Sequence, residues 1–362
     1  MKAAKPKTLL RHAVAGLLTA IGVLGVTGAA HAVESYPSLL CPQGCGPTEG
    51  DTILMNQMIK AGSPTVLMPQ ETPGYIANIR EMENPSRWKN TVFATEDPII
   101  QLAFRGGEPE VKEFLPTPIN IRFQLLYGEA WWAQGKFFVT YNPEIKTVGD
   151  LKGRKIALGL RSQSDWGFFS RLFLEHGYGI TPANSDINHM TPGALTQQLI
   201  DSNVDASISV FAAEPNMKEW LIGGPLRQLE AAGDIKYIGI APEVVAKVNA
   251  KLGTTFLPVT IPAGTLPKQT EDLQIAINRG YKAVHPDFPD EAAYQIVKSV
   301  LQVGPKMKDL HPLWSIWSPE LMVHGLSEEN THPGAIRAYK EAGVWDKAVN
   351  DYADFQVTYP KM

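Results

Sequence analysis

Polar side chains follow three short apolar segments near the start of the chain, where they could hydrogen-bond a small ligand. The apolar segments are 36–40, 65–68 and 91–94. The polar positions that come after them are Gln43, Gly44, Thr48, Glu71, Thr72 and Glu96. Each of these residues alone is equally typical of a solvated turn. The threefold recurrence favours a ligand site, because open α/β sheets bind ligands at the carboxyl ends of their strands.

A second set of polar groups lies directly after the apolar segment 155–158. It combines a cation, an amide, a hydroxyl, a carboxylate and an indole, and an aromatic residue ends the later apolar segment 204–210. These candidate ligand residues are Arg161, Gln163, Ser164, Asp165, Trp166 and Phe211. A helix that starts here would offer free N–H groups to an oxyanion. Arg161 could add a bidentate contact to a carboxylate, although it reads equally well as a surface arginine.

Signatures of catalysis are missing from the sequence. It contains no His-Glu-x-x-His, Gly-x-Ser-x-Gly or P-loop pattern, and its eight histidines are scattered without metal-ligand spacing. The adjacent acids Glu96 and Asp97 would point to opposite faces of a strand and so could not flank one bond. We therefore expect a protein that is not an enzyme and uses no cofactor or metal, with a secreted hydrolase or lyase as the less favoured alternative.

The two cysteines, Cys41 and Cys45, are four residues apart in Cys-Pro-Gln-Gly-Cys. In an oxidising compartment this spacing favours a local disulfide. A metal site or a reactive thiol remains the alternative, but two sulfurs without a nearby histidine fall short of the four ligands of a structural zinc site.

The first 32 residues have the features of a secretory signal peptide. Four basic residues precede an apolar run that starts at Ala13, and Ala-His-Ala ends at Ala32. We expect cleavage near Ala32 and a periplasmic mature protein, with a retained anchor as the alternative; no later run is long and apolar enough to span a bilayer. Without the four basic residues, 29 Lys and Arg stand against 37 Asp and Glu, which disfavours a nucleic-acid partner.

Short apolar segments alternate with amphipathic ones, which predicts α/β layering with mostly parallel sheets. The length exceeds what one core usually supports, so we expect two lobes. The predicted division is 33–141 for the first part of lobe 1, 142–240 for an inserted lobe 2, and 241–362 for the rest of lobe 1. Asp51 is predicted to cap the first helix. The last part should be mostly helical, with amphipathic stretches at 270–284, 289–303 and 333–342.

Ordered motifs along the chain resemble the TAXI family of solute-binding subunits of TRAP transporters. They include Asp150-Leu151-Lys152-Gly153, Asp201-Ser202-Asn203-Val204-Asp205 and Ile261-Pro262-Ala263-Gly264-Thr265. The most specific one is Thr331-His332-Pro333-Gly334-Ala335, whereas the Asp-Leu-Lys-Gly turn is shared with many type II periplasmic binding proteins.

The resemblance implies the type II periplasmic binding protein fold, with two α/β lobes around a hinged cleft. It also implies a small-molecule solute, TRAP membrane subunits as partners, and no catalysis. A binding protein of an ABC importer or a ligand sensor is the alternative. Relatives tend to have Gly-Ser-Gly-Thr where this chain has Ser162-Gln163-Ser164-Asp165. Several carboxylates near the cleft would disfavour a dianion unless Arg161 or another cation compensates.

Overall fold

The computed structural model describes residues 33–42, 45–213 and 220–345. The predicted signal peptide and the candidate ligand residues Gln43 and Gly44 lie outside the described residues. The strands of the described part are β1 (Glu34–Leu39), β2 (Thr65–Gln70), β3 (Val92–Glu96), β4 (Gln124–Thr140), β5 (Lys155–Leu158), β6 (Asp186–His189), β7 (Ala206–Ala213), β8 (Trp220–Leu221), β9 (Lys236–Ile238), β10 (Leu257–Ile261) and β11 (Leu273–Val284).

Helices cover the faces of this sheet. They are α1 (Gly46–Lys60), α2 (Tyr75–Glu81), α3 (Asp97–Ala103), α4 (Ser170–Leu172), α5 (Pro192–Ile200), α6 (Gly224–Ala232), α7 (Pro242–Leu252), α8 (Asp290–Met307), α9 (Pro319–Val323) and α10 (Pro333–Glu341). Two π-helical turns, Ser164–Phe169 and Phe173–Tyr178, flank α4 and form one continuous helical segment with it. No helix of the described residues is long and apolar enough to cross a membrane.

The strands form one sheet in the order β2-β1-β3-β11-β4-β7-β5-β6. Each end of the sheet is parallel: β1 pairs with β2 and β3 in parallel, and β5 pairs in parallel with β6 and β7. The central strands β11 and β4 are antiparallel to their neighbours. The predicted α/β class, with parallel strand groups flanked by helices, is confirmed.

Strand β11 corrects the expectation of a helix at 270–284. Residues 273–284 instead form a strand between β3 and β4, with nearly every side chain buried. Its polar members Asn278, Arg279 and Lys282 recur at spacings of one, three and four, which imitates the polar stripe of an amphipathic helix. They are fully buried and bind partners within the protein, so the pattern reflects internal polar contacts and not a solvated face.

Strands β3 and β5 run in opposite directions and are separated in the sheet by β11, β4 and β7. Their carboxyl ends nevertheless meet, because Ser164, beyond β5, hydrogen-bonds Glu96 at the end of β3. The sheet therefore curls about its long central strands. Register shifts between β11 and β4 lie at Arg279/Tyr281 and Lys282/Ala283, and such bulges increase the local twist.

Helix α1 begins earlier than the sequence suggests. Pro47 lies in its first turn and Cys45 occupies the N-cap position, so the prediction that Asp51 caps this helix is wrong. Proline suits this first turn because its missing N–H would have no helical partner. Asp51 lies one turn later, 2 % exposed, and its carboxylate is 2.8 Å from the ammonium of Lys282. Its role is thus internal charge pairing.

Candidate functional site

A cavity of about 500 Å³ opens where the two groups of strand ends face each other. It is bordered by the end of β3, the start of α2, the π-helical turn after β5, and the region of β7, β8 and α6. A 3₁₀ turn, Pro312–Trp314, and the side chains of Cys41 and Cys45 close another side. A volume of this size suits a small organic molecule.

The cavity brings together six of the ten predicted ligand residues that the structure describes. Its lining includes Glu96, Gln163, Ser164, Asp165, Trp166 and Phe211. Cys41 and Cys45 also line it, and the structure joins them in a disulfide. Both polar strand-end groups noted in the sequence therefore contribute to one cavity, because the curled sheet turns their carboxyl ends toward each other.

Four predicted residues lie elsewhere. Thr48 is buried under the disulfide loop, where its hydroxyl donates to the carbonyl of Cys41 at 2.9 Å. Glu71 and Thr72 line a separate outer cleft of about 560 Å³. Arg161 pairs with Glu113, with 2.6 Å between the guanidinium nitrogen and the carboxylate oxygen, and its side chain is 52 % exposed. The structure thus places Arg161 outside the cavity lining, and its expected contact to a ligand carboxylate has no support in the geometry.

Several residues of the lining were missed by sequence reasoning. They are Tyr75, Trp131, Gln134, Trp220, Arg227 and His311. Trp131 and Gln134 were missed because they lie in the middle of the long strand β4 and not at a strand end. Tyr75 begins α2 directly after Pro73 and Gly74, a helix-start signal that could have placed it at the strand ends. Arg227 and His311 have no local signal, since long-range folding brings their segments here.

Buried Asn78 fixes the position of α2 against two strand ends. Its amide nitrogen donates to the carbonyl of Leu40 at 2.8 Å and to that of Ala94 at 3.0 Å. These bonds tie the helix to the backbone carbonyls at the two strand ends, and buried carbonyls are well satisfied by such partners. The helix start that carries Tyr75 is thereby held beside the end of β3 that carries Glu96.

Residues 161–164 contact the opposite wall directly. The hydroxyl of Ser162 donates to the carbonyl of Pro73 at 2.6 Å, and that of Ser164 donates to Glu96 at 3.0 Å. Gly74 permits this approach: its φ is +142°, and a Cβ there would lie 2.2 Å from the carbonyl oxygen of Ser162. Any residue with a side chain would therefore push the two walls apart.

A buried ion pair forms the floor beside the cavity. The ammonium of Lys136 lies 2.8 Å from Asp165, and the side chains are 0 % and 8 % exposed. Lys136 also donates to the side-chain oxygen of Asn278 and, at 3.3 Å, to the carbonyl of Gln134. The aromatic rings of Phe169 and Phe256 lie near the same ammonium. All three ammonium protons thus have acceptors within the protein.

Glu96 has a different environment from Asp165. Burial, followed by the nearby charge of Asp165, raises the pKa of Glu96 well above its ordinary value, and Lys136 only partly opposes this shift. The carboxyl group of Glu96 lies within hydrogen-bonding reach of the carboxyl group of Asp165. One carboxyl oxygen of Glu96 accepts from Ser164, whereas the other is buried and has no donating hydrogen-bond partner. The buried hydroxyl of Tyr75 also lacks one, and both residues line the cavity.

Asp97, the neighbour of Glu96, faces away from the cavity. Its carboxylate accepts from the backbone N–H of Arg279 at 2.8 Å and from Thr255 at 3.2 Å. Burial raises the pKa of Asp97 to about 7 against these bonds. A second buried cluster joins Lys282 to Asp51 at 2.8 Å and to Glu129 at 3.2 Å. Burial raises the pKa of Glu129 to about 7, although Lys282 opposes the shift.

The arrangement suits binding better than bond cleavage. Glu96 and Asp165 are both in the cavity, but Asp165 is held by Lys136 and Glu96 has no cationic partner of its own. Among the described residues, no group of three or more His, Cys, Asp or Glu side chains could hold a metal ion. Five aromatic side chains also line the cavity: Tyr75, Trp131, Trp166, Phe211 and Trp220.

The outer cleft is a weaker candidate. Its lining is mainly charged residues such as Arg80, Glu81, Glu83 and Arg87, and one pair of them, Arg87 and Glu81, already forms an ion pair at 3.1 Å. It contains no aromatic side chain. Solvated charges of this kind are typical of ordinary protein surface. The inner cavity, with its buried carboxyls and rings, is therefore the candidate functional site.

Residues 127–343, from within β4 to the end of α10, match the NMT1-like family. The match covers more than half of the chain. The chain belongs to the NMT1-like family. Of the residues that line the cavity, the matched span includes Gln134, Asp165, Trp166 and Phe211, whereas Tyr75 and Glu96 lie before it.

Three solved structures with a similar fold are described as a periplasmic binding protein or as a protein with a bound small molecule. MatC from Rhodopseudomonas palustris with bound malate has 13% sequence identity, covers 87% of this chain and 98% of its own, and gives a TM-score of 0.48. The periplasmic binding protein BugD has 11% identity over 86% of this chain and 94% of its own, with a TM-score of 0.47. PhnD1 from Prochlorococcus marinus in complex with methylphosphonate has 10% identity, covers 86% of this chain and 100% of its own, and gives a TM-score of 0.47. At these values, the ligands of those proteins are not carried over to this chain.

Proposed function

We propose that this protein is a periplasmic solute-binding subunit that captures a small polar solute in the inner cavity and delivers it to a TRAP-type membrane transporter. The observation that carries the proposal is the cavity itself: about 500 Å³ between the two groups of strand ends, with buried polar atoms and aromatic rings in one lining. Membership of the NMT1-like family supports it.

The contacts across the cavity support capture by closure. Three side chains after β5, Arg161, Ser162 and Ser164, bind the wall that carries Pro73, Glu96 and Glu113. The two long strands β4 and β11 join the two sides and would serve as the hinge. The proposed division into 33–141, 142–240 and 241–362 follows this hinge, with 142–240 carrying the residues that close.

Binding is tested with the exported protein. Native mass spectrometry of purified material, followed by a thermal-shift screen of amino acids, amines, organic acids and polyols, should find one solute that raises the melting temperature. A ligand bound only by the folded protein stabilises it by about 2.7 kcal/mol at a hundredfold excess over Kd. Phe211→Ala, which removes a ring from the wall, should lower that affinity.

A matched control separates the cavity from general stability. Phe104 is a partly buried aromatic residue packed on the core that is not part of the cavity lining, so Phe104→Ala should lower stability without changing solute affinity. If both variants bind like the parent, the solute occupies another place and the inner cavity is not the site. If no solute in the screen binds the parent, the proposed function fails.

The transporter class is tested separately. The motif resemblance to TAXI proteins favours a TRAP transporter, driven by an ion gradient. A gene for TRAP membrane subunits beside this one, and solute uptake that collapses with the ion gradient, would support the assignment. An adjacent ATPase gene and uptake that follows ATP would show an ABC importer instead. Export and cleavage near Ala32 are checked by sequencing the amino terminus of periplasmic protein.

A further inference from the structure

We propose that the buried end of the cavity binds a primary ammonium group, so that the solute is an amine with an apolar or aromatic body. This inference rests on the proposed function and adds the chemical class of the solute. It is carried by the unpaired carboxyl oxygen of Glu96, the fully engaged ammonium of Lys136 and the aromatic wall around them.

A ligand carboxylate finds little compensation at the buried end. Lys136 is the cation beside Asp165, and its three protons are already taken by Asp165, Asn278 and Gln134. Arg161 is occupied by Glu113 outside the lining. Among the described residues at this end, a buried ligand carboxylate would therefore find no free cation, and burial of an unpaired charge is strongly unfavourable.

Only one arginine and no lysine lines the cavity in the described part of the chain. That residue, Arg227, belongs to α6 and is exposed. Acidic lining residues are more numerous: Glu49 is exposed, whereas Glu96 and Asp165 are buried. A cation at the buried end would meet Glu96 directly. An anionic group, where a ligand carries one, would lie toward Arg227 at the opening.

Aromatic rings favour a cation with an apolar body. Tyr75, Trp131 and Phe211 are buried, and Trp166 and Trp220 are partly exposed. The ring centroids of Phe211 and Trp220 are 4.9 Å apart, which leaves a tilted aromatic corner. Ring faces attract an ammonium and pack against an apolar body at the same time. The buried hydroxyl of Tyr75, which has no partner, would accept one ammonium hydrogen.

Binding of the amine should release a proton. Glu96 faces Ser164 and the charges of Asp165 and Lys136, and Tyr75 lies in the field of the same carboxylates. Burial and Asp165 raise the pKa of Glu96, which favours a proton on its carboxyl group in the ligand-free protein. When a ligand ammonium enters, Glu96 gives this proton to solvent and becomes the counter-ion. The positive charge of the ligand ammonium replaces that of the released proton, so the net charge of the site is unchanged.

A matched pair of probes tests the chemical class. Tryptamine and indole-3-propionate share a ring and chain and differ in the charged end. We expect the parent protein to bind tryptamine at least tenfold more tightly in isothermal titration. Glu96→Gln should weaken tryptamine by at least tenfold and change the affinity for indole-3-propionate by less than threefold. The control is Glu144→Gln, an exposed residue of a distant turn, which should leave both affinities unchanged.

Proton release gives a second test that needs no variant. Heats of tryptamine binding measured in phosphate and in Tris at one pH should differ by the proton that the buffer takes up. Because the amine stays protonated up to about pH 10, affinity should rise with pH as Glu96 ionises more easily. Equal heats in the two buffers, together with an affinity independent of pH, would overturn the assignment of Glu96.

The outcomes separate this inference from the proposed function. Binding of indole-3-propionate as tight as that of tryptamine overturns the amine class. Failure of tryptamine to bind also overturns it; if the solute screen still finds a ligand that Phe211→Ala weakens, the proposed function stands alone. When neither probe nor any screened solute binds, both fail.

Discussion

Asp165→Asn should destabilise the protein strongly, because it removes the only carboxylate that pairs with buried Lys136 in the described structure. The two charges are 2.8 Å apart. At an effective dielectric constant of about 20, their attraction is about 6 kcal/mol. The bonds from Lys136 to Asn278 and Gln134 remain, so the net loss should be smaller. Breaking a buried pair from one side costs about 3–5 kcal/mol in unfolding free energy.

The double variant Lys136→Met/Asp165→Asn distinguishes a lost pair from general damage. Lys136→Met alone should lower the unfolding free energy by about 2 kcal/mol, since Asp165 can then take up a proton in place of its partner. The double variant removes both charges, and we expect its unfolding free energy to lie within about 2 kcal/mol of the parent. Coupling of at least about 2 kcal/mol should result.

Urea unfolding followed by tryptophan fluorescence measures these free energies, because the chain contains eight tryptophans. A loss below about 1 kcal/mol for Asp165→Asn would refute the reasoning. So would a double variant that loses the sum of the two single effects. The same result bears on ligand tests: since Asp165 neutralises Lys136, Asp165→Asn is a probe of stability and does not report the charge of the solute.

Three further outcomes follow from named contacts. Exported protein should contain the Cys41–Cys45 bond, seen as a mass increase on reduction; two free thiols in periplasmic material would contradict it. Arg161→Ala breaks an exposed pair with Glu113, and both the unfolding free energy and the free energy of solute binding should change by less than about 1 kcal/mol. Asp97 keeps its proton up to about pH 7 in the folded protein but only up to about pH 4 in the unfolded chain. The unfolding free energy should therefore fall as the pH rises from about 4 to about 7. Asp97→Asn should reduce this fall, as measured by urea unfolding at several pH values.

The sequence was most informative where the chemistry is local. The segment after β5 was recognised because a short strand, a polar turn and a helix follow one another, and Gln163, Ser164, Asp165 and Trp166 all reach the cavity. The same spacing could not show which way Arg161 points. Its partner, Glu113, is distant in sequence, and only the folded chain brings the two residues together.

Strand β11 shows the limit of reading periodicity. Its polar residues have the spacing of the solvated stripe of a helix, yet they are fully buried. Asn278 binds Lys136. Lys282 pairs with Asp51 and Glu129. Periodicity reports which residues differ from apolar neighbours, and the usual assumption is that polar residues face water. That assumption fails in the middle of a sheet that carries a buried polar network.

This buried network is itself an argument for a binding role. Apolar residues of similar volume would often stabilise a sheet interior as well as an ion pair does or better. Lys136 and Asn278 lie on the two central strands, and together they fix Asp165 at the floor of the cavity. Asp165 in turn keeps the carboxyl of Glu96 short of a counter-ion. When Glu96 gives up its proton to a ligand ammonium, the buried carboxylate attracts that group more strongly than a solvated carboxylate would, because the effective dielectric constant is lower there. An apolar floor would therefore give equal or greater stability to the folded protein, but it would weaken the binding of a cationic solute.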